Sequence, residues 1–369
     1  MKIRKICTVL FCLLFTAVSQ AQTKIENLII VTTDGLRWQE VFKGMDAELA
    51  GNKRFNEGDS SYIYNTYGGD NFSERRAKLL PFFWGTLAKA GQIYGNRTLG
   101  NKVNNANPHW FSYPGYSELF TGFADPAINS NAYDPNPHTT VLEFINKQPR
   151  FKNKVAAFGA WEAFDRILNE KRAGFPVVSA FDATGGAHPN KKEVLLNRML
   201  AASYKPWGQA ECLDMFTHFA AMEHLRTKSP RVLYIAYGET DEWAHSGKYK
   251  TYLDAAKQVD KWLQEIWTFV QSHPSYKNKT ALLITVDHGR GDENKNLWTD
   301  HGSKVPGASE TWFALMGPGI EAKGEMKQNM QLYQEQLAQT MAGLIRLKFT
   351  AEHPVAEAVK LNEEGLSIK

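Results

Sequence analysis

Short runs of β-branched and apolar residues recur along the chain, separated by longer segments with apolar positions at helical spacing. Ile25 to Thr33 is one such run; it stops at Asp34-Gly35 and predicts a buried strand. Lys154–Phe158, Arg231–Tyr237, Thr280–Val286 and Thr311–Met316 predict further strands, the last closed by Gly317-Pro318-Gly319. Gln92 to Asn96 predicts a short extended piece. Between them, Leu79–Ala90, Glu193–Ala202, Ala210–Thr227, Tyr249–Ser272 and Gln334–Leu347 carry the helical pattern. The strongest is Tyr249–Ser272, which places Leu253, Ala256, Val259, Leu263 and Ile266 on one face. Two segments lack a clear period. Residues 44–76 are polar and read as a long surface excursion, and 180–206 reads as mostly loop. Strands alternating with helices predict one large α/β domain, with a mostly parallel central sheet and helices on both faces.

The N-terminus stands apart from this pattern. MKIRK is basic, ICTVLFCLLFTAV is apolar, and Ser19-Gln20-Ala21 offers small residues at a cleavage site. This predicts a cleaved secretory signal over residues 1–21 and a catalytic domain over 22–369. The protein would then be secreted, or periplasmic in a Gram-negative cell, with no membrane span in the mature chain. The formal net charge of +4 falls to +1 once Lys2, Arg4 and Lys5 are removed. A chain so nearly neutral offers no global field for a stable nucleic-acid complex. Cys212 is the one cysteine left, so no intrachain disulfide can form.

Three of the predicted strands end in the same chemistry. The first ends at Asp34, and Val232–Tyr237 runs into Asp241 and His245. The third ends at Asp287-His288, and His301 follows in TDHGS. The carboxyl edge of an open α/β sheet is where ligands bind. An aspartate after a strand is ordinarily a turn residue or helix cap, and a lone histidine is ordinarily satisfied in a core. Three aspartates and three histidines at strand ends and one loop are a different matter. They are the donor set of a divalent metal site, and six ligands suit two ions better than one. Asp241 and His245 share a face if the turn is helical, whereas Asp287 and His288 diverge unless the chain bends.

A nucleophile for such a site lies in NPHWFSYPGYSELFTGF, residues 107–123. Ser112 precedes a Tyr-Pro-Gly turn and a helical pattern. A serine at a helix N-terminus meets backbone N–H groups that favour an anion, and a nearby cation lowers its pKa.

Together these stretches resemble the alkaline phosphatase superfamily, and within it the nucleotide pyrophosphatase/phosphodiesterase group. VTTDGLRW, SYPGYSELFTG, TDEWAHSGKY, TVDHG and TDHGS carry the resemblance, which runs from about Asn27 to Ile320. It implies that Asp241, His245 and His301 hold one metal. Asp34, Asp287 and His288 would hold a second, with Ser112 as its bound nucleophile. It implies zinc, with manganese or iron compatible with the same donors. An Asn some twenty residues after the nucleophile would contact a phosphoryl oxygen, which points to Asn131, with Asn129 close by. Arg290, next to the DHG motif, is a candidate phosphate contact.

Departures from the family pattern narrow the choice. Sulfatases need an arginine where Tyr116 stands, and related monoesterases carry a Lys and an Arg where this chain offers Trp161 and Glu162, with Arg166 a few places on. The expected activity is hydrolysis of small phosphate esters, of the phosphodiester or nucleotide type, through a phosphoseryl intermediate. The alternatives are a periplasmic phosphomonoesterase and, less consistent with an intact ligand set, a non-catalytic metal-stabilised binding protein. Trp110, Tyr113, Tyr116, Trp161, Trp243 and Trp298 flank the motifs and are candidates to stack a base or aryl group.

Overall fold

The computed structural model describes residues 25–362, so the expected leader lies outside the described residues. Eleven strands are present in it: β1 Asn27–Thr33, β2 Gly91–Tyr94, β3 Asn101–Asn104, β4 Val155–Gly159, β5 Val177–Ser179, β6 Val232–Tyr237, β7 Thr280–Thr285, β8 Glu310–Thr311, β9 Phe313–Met316, β10 Gly324–Glu325 and β11 Met330–Tyr333. Eight form the main sheet in the order β10-β2-β9-β7-β1-β6-β4-β5, and β11-β3-β8 form a small second sheet.

The most apolar run, β1, is the central strand, as a segment buried on both faces must be. It pairs in parallel with β6 and with β7, Leu28 lying opposite both Val232 and Ala281. β4 and β5 extend the parallel part, while β9 joins β7 antiparallel. Successive side chains on a strand point to opposite faces. Ile29 and Val31 therefore enter one apolar layer with Val259, Leu263 and Ile266 of the helix Tyr249–Ser272. Leu28 and Ile30 enter the other, with Leu119 and Phe120 of the helix Ser112–Thr121 and Leu337 and Met341 of Gln336–Leu344. The fold expected from the alternating pattern is the fold observed. No helix of the described residues is long and apolar enough to cross a membrane.

Two local expectations are corrected. Residues 44–76 hold three short helices, Ala47–Gly51, Ser60–Tyr67 and Phe72–Leu79. Asp46, Asp59 and Asn71 cap them by accepting backbone N–H bonds, and only Leu49, Ala50, Ile63, Tyr67 and Leu79 are buried. So few buried positions cannot reveal a period. Leu79–Ala90 is not one regular helix. It contains a π-helical turn, Phe83–Leu87, whose entry is held by Asp260 accepting from Phe82 N–H at 2.8 Å and Phe83 N–H at 2.9 Å.

Candidate active site

The ends of β1, β6 and β7 bring the expected residues together at one edge of the sheet. Asp34 follows β1, Asp241 and His245 lie on the short helix Glu239–His245 after β6, and Asp287 and His288 follow β7. Asp34, Asp287 and His288 each offer a ligand atom within 4.8 Å of the others, and so do Asp241, His288 and His301. The chain bends on leaving β7, so neighbouring Asp287 and His288 do serve one cluster. His245 Nε2 lies 3.0 Å from Asp241 Oδ2 and 3.0 Å from His301 Nε2, which completes the outer group. His288 stands between the two groups, 3.3 Å from Asp34 Oδ1 and 3.9 Å from Asp241 Oδ1.

Close packing supports these side chains. Gly35 has a φ of +58°, and a Cβ there would lie 2.5 Å from Asp241 Oδ1, so both the turn and the approach of the ligand require glycine. Gly35 N–H donates to Asp287 Oδ1 at 3.1 Å. Asn105 Nδ2 donates to the Asp287 carbonyl at 2.8 Å, and Thr240 Oγ1 donates to the Asp34 carbonyl.

The electrostatics fit a cation-binding centre. Burial, then repulsion from Asp241, pushes the Asp34 carboxyl up. Burial, then Asp34, pushes Asp287 well above the usual carboxylate range. Burial works against protonation of His288, yet Asp287 and Asp34 raise it to about 9. Burial, then His288, drives His301 well below its ordinary value. Burial alone would raise Asp241, but the Arg290 guanidinium outweighs it and holds the carboxyl well below its usual range. Asp287 Oδ2 and His301 Nδ1 are buried without a hydrogen-bond partner. Crowded carboxylates that repel one another, with converging imidazole nitrogens, suit divalent ions of the zinc, manganese or iron kind.

Ser112 is the first residue of the helix Ser112–Thr121, all ten residues of which are buried. Its Oγ lies 3.3 Å from His288 Nε2 and 3.5 Å from Asp34 Oδ1. Trp110, just before it, has a φ of +55°, and its carbonyl accepts from Gly302 N–H at 2.9 Å. The turn that presents Ser112 is thus tied to the loop carrying His301.

Asn131 lies beside that turn, exposed, with Oδ1 accepting from Tyr113 N–H at 3.0 Å. Asn129 has no such tether among the described hydrogen bonds, so the geometry favours Asn131. Arg290 requires a correction. It is fully buried; its Nε donates to the Trp298 carbonyl at 2.8 Å, and Nη1 pairs with Asp241. Nη2 donates to the Thr299 carbonyl and lies 3.3 Å from His245 Nδ1. Arg290 therefore braces two ligands from behind and presents nothing to a substrate. Among the aromatic candidates, Trp298, Tyr113 and Tyr116 are fully buried, and Trp298 packs on Phe55, Tyr249 and Tyr252 in the core. Trp110, Trp161 and Trp243 remain partly exposed.

Two contacts were not anticipated: Tyr116 was expected to stack a substrate group, not to bond a candidate ligand, and Glu211 was not singled out. Tyr116 OH donates to Asp34 Oδ2 at 3.0 Å, and burial, then Asp287 and Asp34, keep the phenol well above its usual pKa and so protonated. Its position in SYPGY was the available signal, but a partner 82 residues away was not. Glu211 is buried close to Asp34 and Asp241, in a stretch with no motif to mark it.

Comparison with known proteins bears on the fold and the broad class. A model described as the Metalloenzyme superfamily matches residues 204–347. GPI ethanolamine phosphate transferase 1 of Mus musculus is 32% identical over 83 residues, 22% of this chain and 8% of that protein. The likeness thus spans under a tenth of that relative's length. Among solved structures, the alkaline phosphatase PafA aligns with a TM-score of 0.56 at 10% identity, covering 91% of this chain and 98% of its own. BT1596, a 2-O GAG sulfatase, aligns with a TM-score of 0.56 at 14% identity, covering 89% and 72%. The chain has the fold of the alkaline phosphatase superfamily. These neighbours are a phosphatase and a sulfatase by name.

Proposed function

We propose that this protein is an exported, metal-dependent hydrolase of phosphodiesters that works through a phosphoseryl intermediate on Ser112. The observation that carries the reading is the position of Ser112 Oγ, 3.3 Å from His288 and 3.5 Å from Asp34, at a buried helix N-terminus. Asp34, Asp287 and His288 would hold one divalent ion, and Asp241, His245 and His301 a second, zinc being the best match to the donors. When bound, such ions lower the pKa of a serine hydroxyl and neutralise charge on phosphoryl and leaving oxygens.

The chain's own groups do the rest. Ser112 Oγ attacks phosphorus, an O–P bond forms and the leaving alkoxide departs opposite it. Water then attacks the phosphoserine and frees Ser112. The exposed Asn131 amide, tethered beside the nucleophile, is placed to donate to a non-bridging oxygen. Tyr116 and Arg290 hold Asp34 and Asp241 in place from the protein side.

The preference for a diester rests on charge. A monoester brings a second negative charge that needs a cationic clamp. Arg290 is buried, and Arg166 donates to the carbonyls of Asn131 and Tyr133 and to Glu162 at 2.9 Å. Against the sulfatase reading, Tyr116 stands where the modified-serine motif needs arginine and is engaged with Asp34. The test is kcat/KM of the zinc-loaded protein on bis(p-nitrophenyl) phosphate and on p-nitrophenyl phosphate. A strong diester preference is expected; a strong monoester preference would make it a phosphatase and overturn the charge argument.

A further inference from the structure

Beside the metal ligands runs a wall of four acidic side chains, Glu211, Asp214, Glu239 and Glu242. Two of them are satisfied by the protein. Asp214 accepts from Gly238 N–H at 2.7 Å and Glu239 N–H at 3.1 Å. Glu239 accepts from Asp214 N–H at 2.9 Å and from Trp243 Nε1 at 3.0 Å. Glu211 differs. It is 5% exposed, Oε1 is buried without a partner, and no described hydrogen bond reaches either oxygen. Its carboxylate lies directly over the Gly238 α-carbon at the end of β6, where any Cβ would fall 1.8 Å from Oε1. Only glycine permits that approach, three residues before Asp241.

The charges acting most on Glu211 are all negative: Glu242, Asp214, Asp34 and Asp241. Burial, then Glu242, pushes its carboxyl well above the usual range. A buried carboxyl group without a hydrogen-bond partner is unfavourable, and here burial and the neighbouring acids favour its protonated form. A metal ion is not the best occupant, since neither ligand cluster among the described residues includes Glu211. A neutral hydroxyl would satisfy one oxygen and leave the surrounding acidic charge unanswered. A substrate ammonium group would satisfy the oxygen, draw Glu211 to its ionised form and offset the acidic wall. Trp161, partly exposed and joined to Glu211 by a β-bridge, adds an aromatic neighbour suited to an alkylammonium.

We infer that Glu211 is a specificity-determining residue that receives a cationic, alkylammonium-bearing alcohol portion of the phosphodiester. This rests on the phosphodiesterase reading of the same site. The test uses two esters of equal shape: p-nitrophenyl phosphocholine and its uncharged isostere, p-nitrophenyl 3,3-dimethylbutyl phosphate. Their dissociation constants are measured by calorimetry on the zinc-loaded Ser112→Ala protein, and kcat/KM on the zinc-loaded wild type. The expected result is a preference of about tenfold or more for the cationic ester in both measurements. Glu211→Gln in either background should bring that ratio close to one. Equal binding of the two esters, or a preference that survives Glu211→Gln, would overturn the inference. So would loss of a bound metal ion in Glu211→Gln, because Glu211 would then be a ligand. Selective binding without turnover of either ester, or of bis(p-nitrophenyl) phosphate, would instead defeat the phosphodiesterase reading and leave the Glu211 site standing.

Discussion

The two halves of the centre use the same residue types on different supports. The inner half, Asp34, Asp287 and His288, leaves the ends of adjacent parallel strands, where Thr32 lies opposite Thr285. The side chains of Asp287 and His288 are fully covered. The outer half sits on a seven-residue helix and a loop, and its His245 side chain is 39% exposed. The inner half is positioned by the sheet and by bonds from Gly35, Asn105, Thr240 and Tyr116. The outer half depends on Arg290, a single buried cation, for its bracing. The contrast shows how one sheet edge builds two kinds of support: a covered, rigid seat beside Ser112 and a more exposed group on a helix and a loop.

Four outcomes test that contrast, beginning with the largest. Ser112→Ala should lower diesterase turnover by about a thousandfold or more while metal content is unchanged. Turnover near wild type would remove Ser112 from the mechanism. Arg290→Met should reduce stability to urea by about 3–5 kcal/mol in the metal-free protein, since Asp241 loses its buried partner. The loss should be smaller with metal bound, because an ion also neutralises Asp241. An equal loss in both states would mean that Arg290 serves the core and not the outer half. Tyr116→Phe should weaken inner-half metal affinity or activity by about 10–100-fold, because it removes the donor to Asp34. Brief chelation should then release one ion before the other, the exposed outer position first; simultaneous release would erase the distinction between the halves.

The last effect lies away from the centre and leaves the contrast itself untouched. Burial depresses His218 and His224, each to about 4. Their folded values lie below the unfolded value of about 6.5, so the unfolded chain binds these protons first. Stability from this source is complete above pH 6.5 and is lost as pH falls toward 4. Each group contributes a slope of up to about 1.4 kcal/mol per pH unit within that window. Urea midpoints of the Ser112→Ala protein from pH 7 to 4 should show the same slope as wild type. A flat profile would mean that neither histidine is held neutral.

What could be read in the sequence follows the length scale of each cause. The strand runs and the 24-residue helix Tyr249–Ser272 were legible, because their periods repeat many times. So was the gathering of the candidate ligands at one sheet edge, because all but the loop residue His301 come directly after a strand end or on the short helix that follows one. The helices in 44–76 were not, since each has at most two buried side chains. Tyr116 and Glu211 act on partners that only the fold brings near. Arg290 misled by adjacency: its neighbours in DHG face the centre, but the chain turns its side chain inward beneath Asp241.

The bond from Gly302 N–H to the Trp110 carbonyl has a consequence for regulation by supply. It fastens the loop of His301 to the turn that presents Ser112, so disorder in one reaches the other. Under the proposed two-ion reading, emptying the exposed outer position would loosen the turn that presents Ser112 as well, so turnover would fall with the first ion lost and not in proportion to metal content.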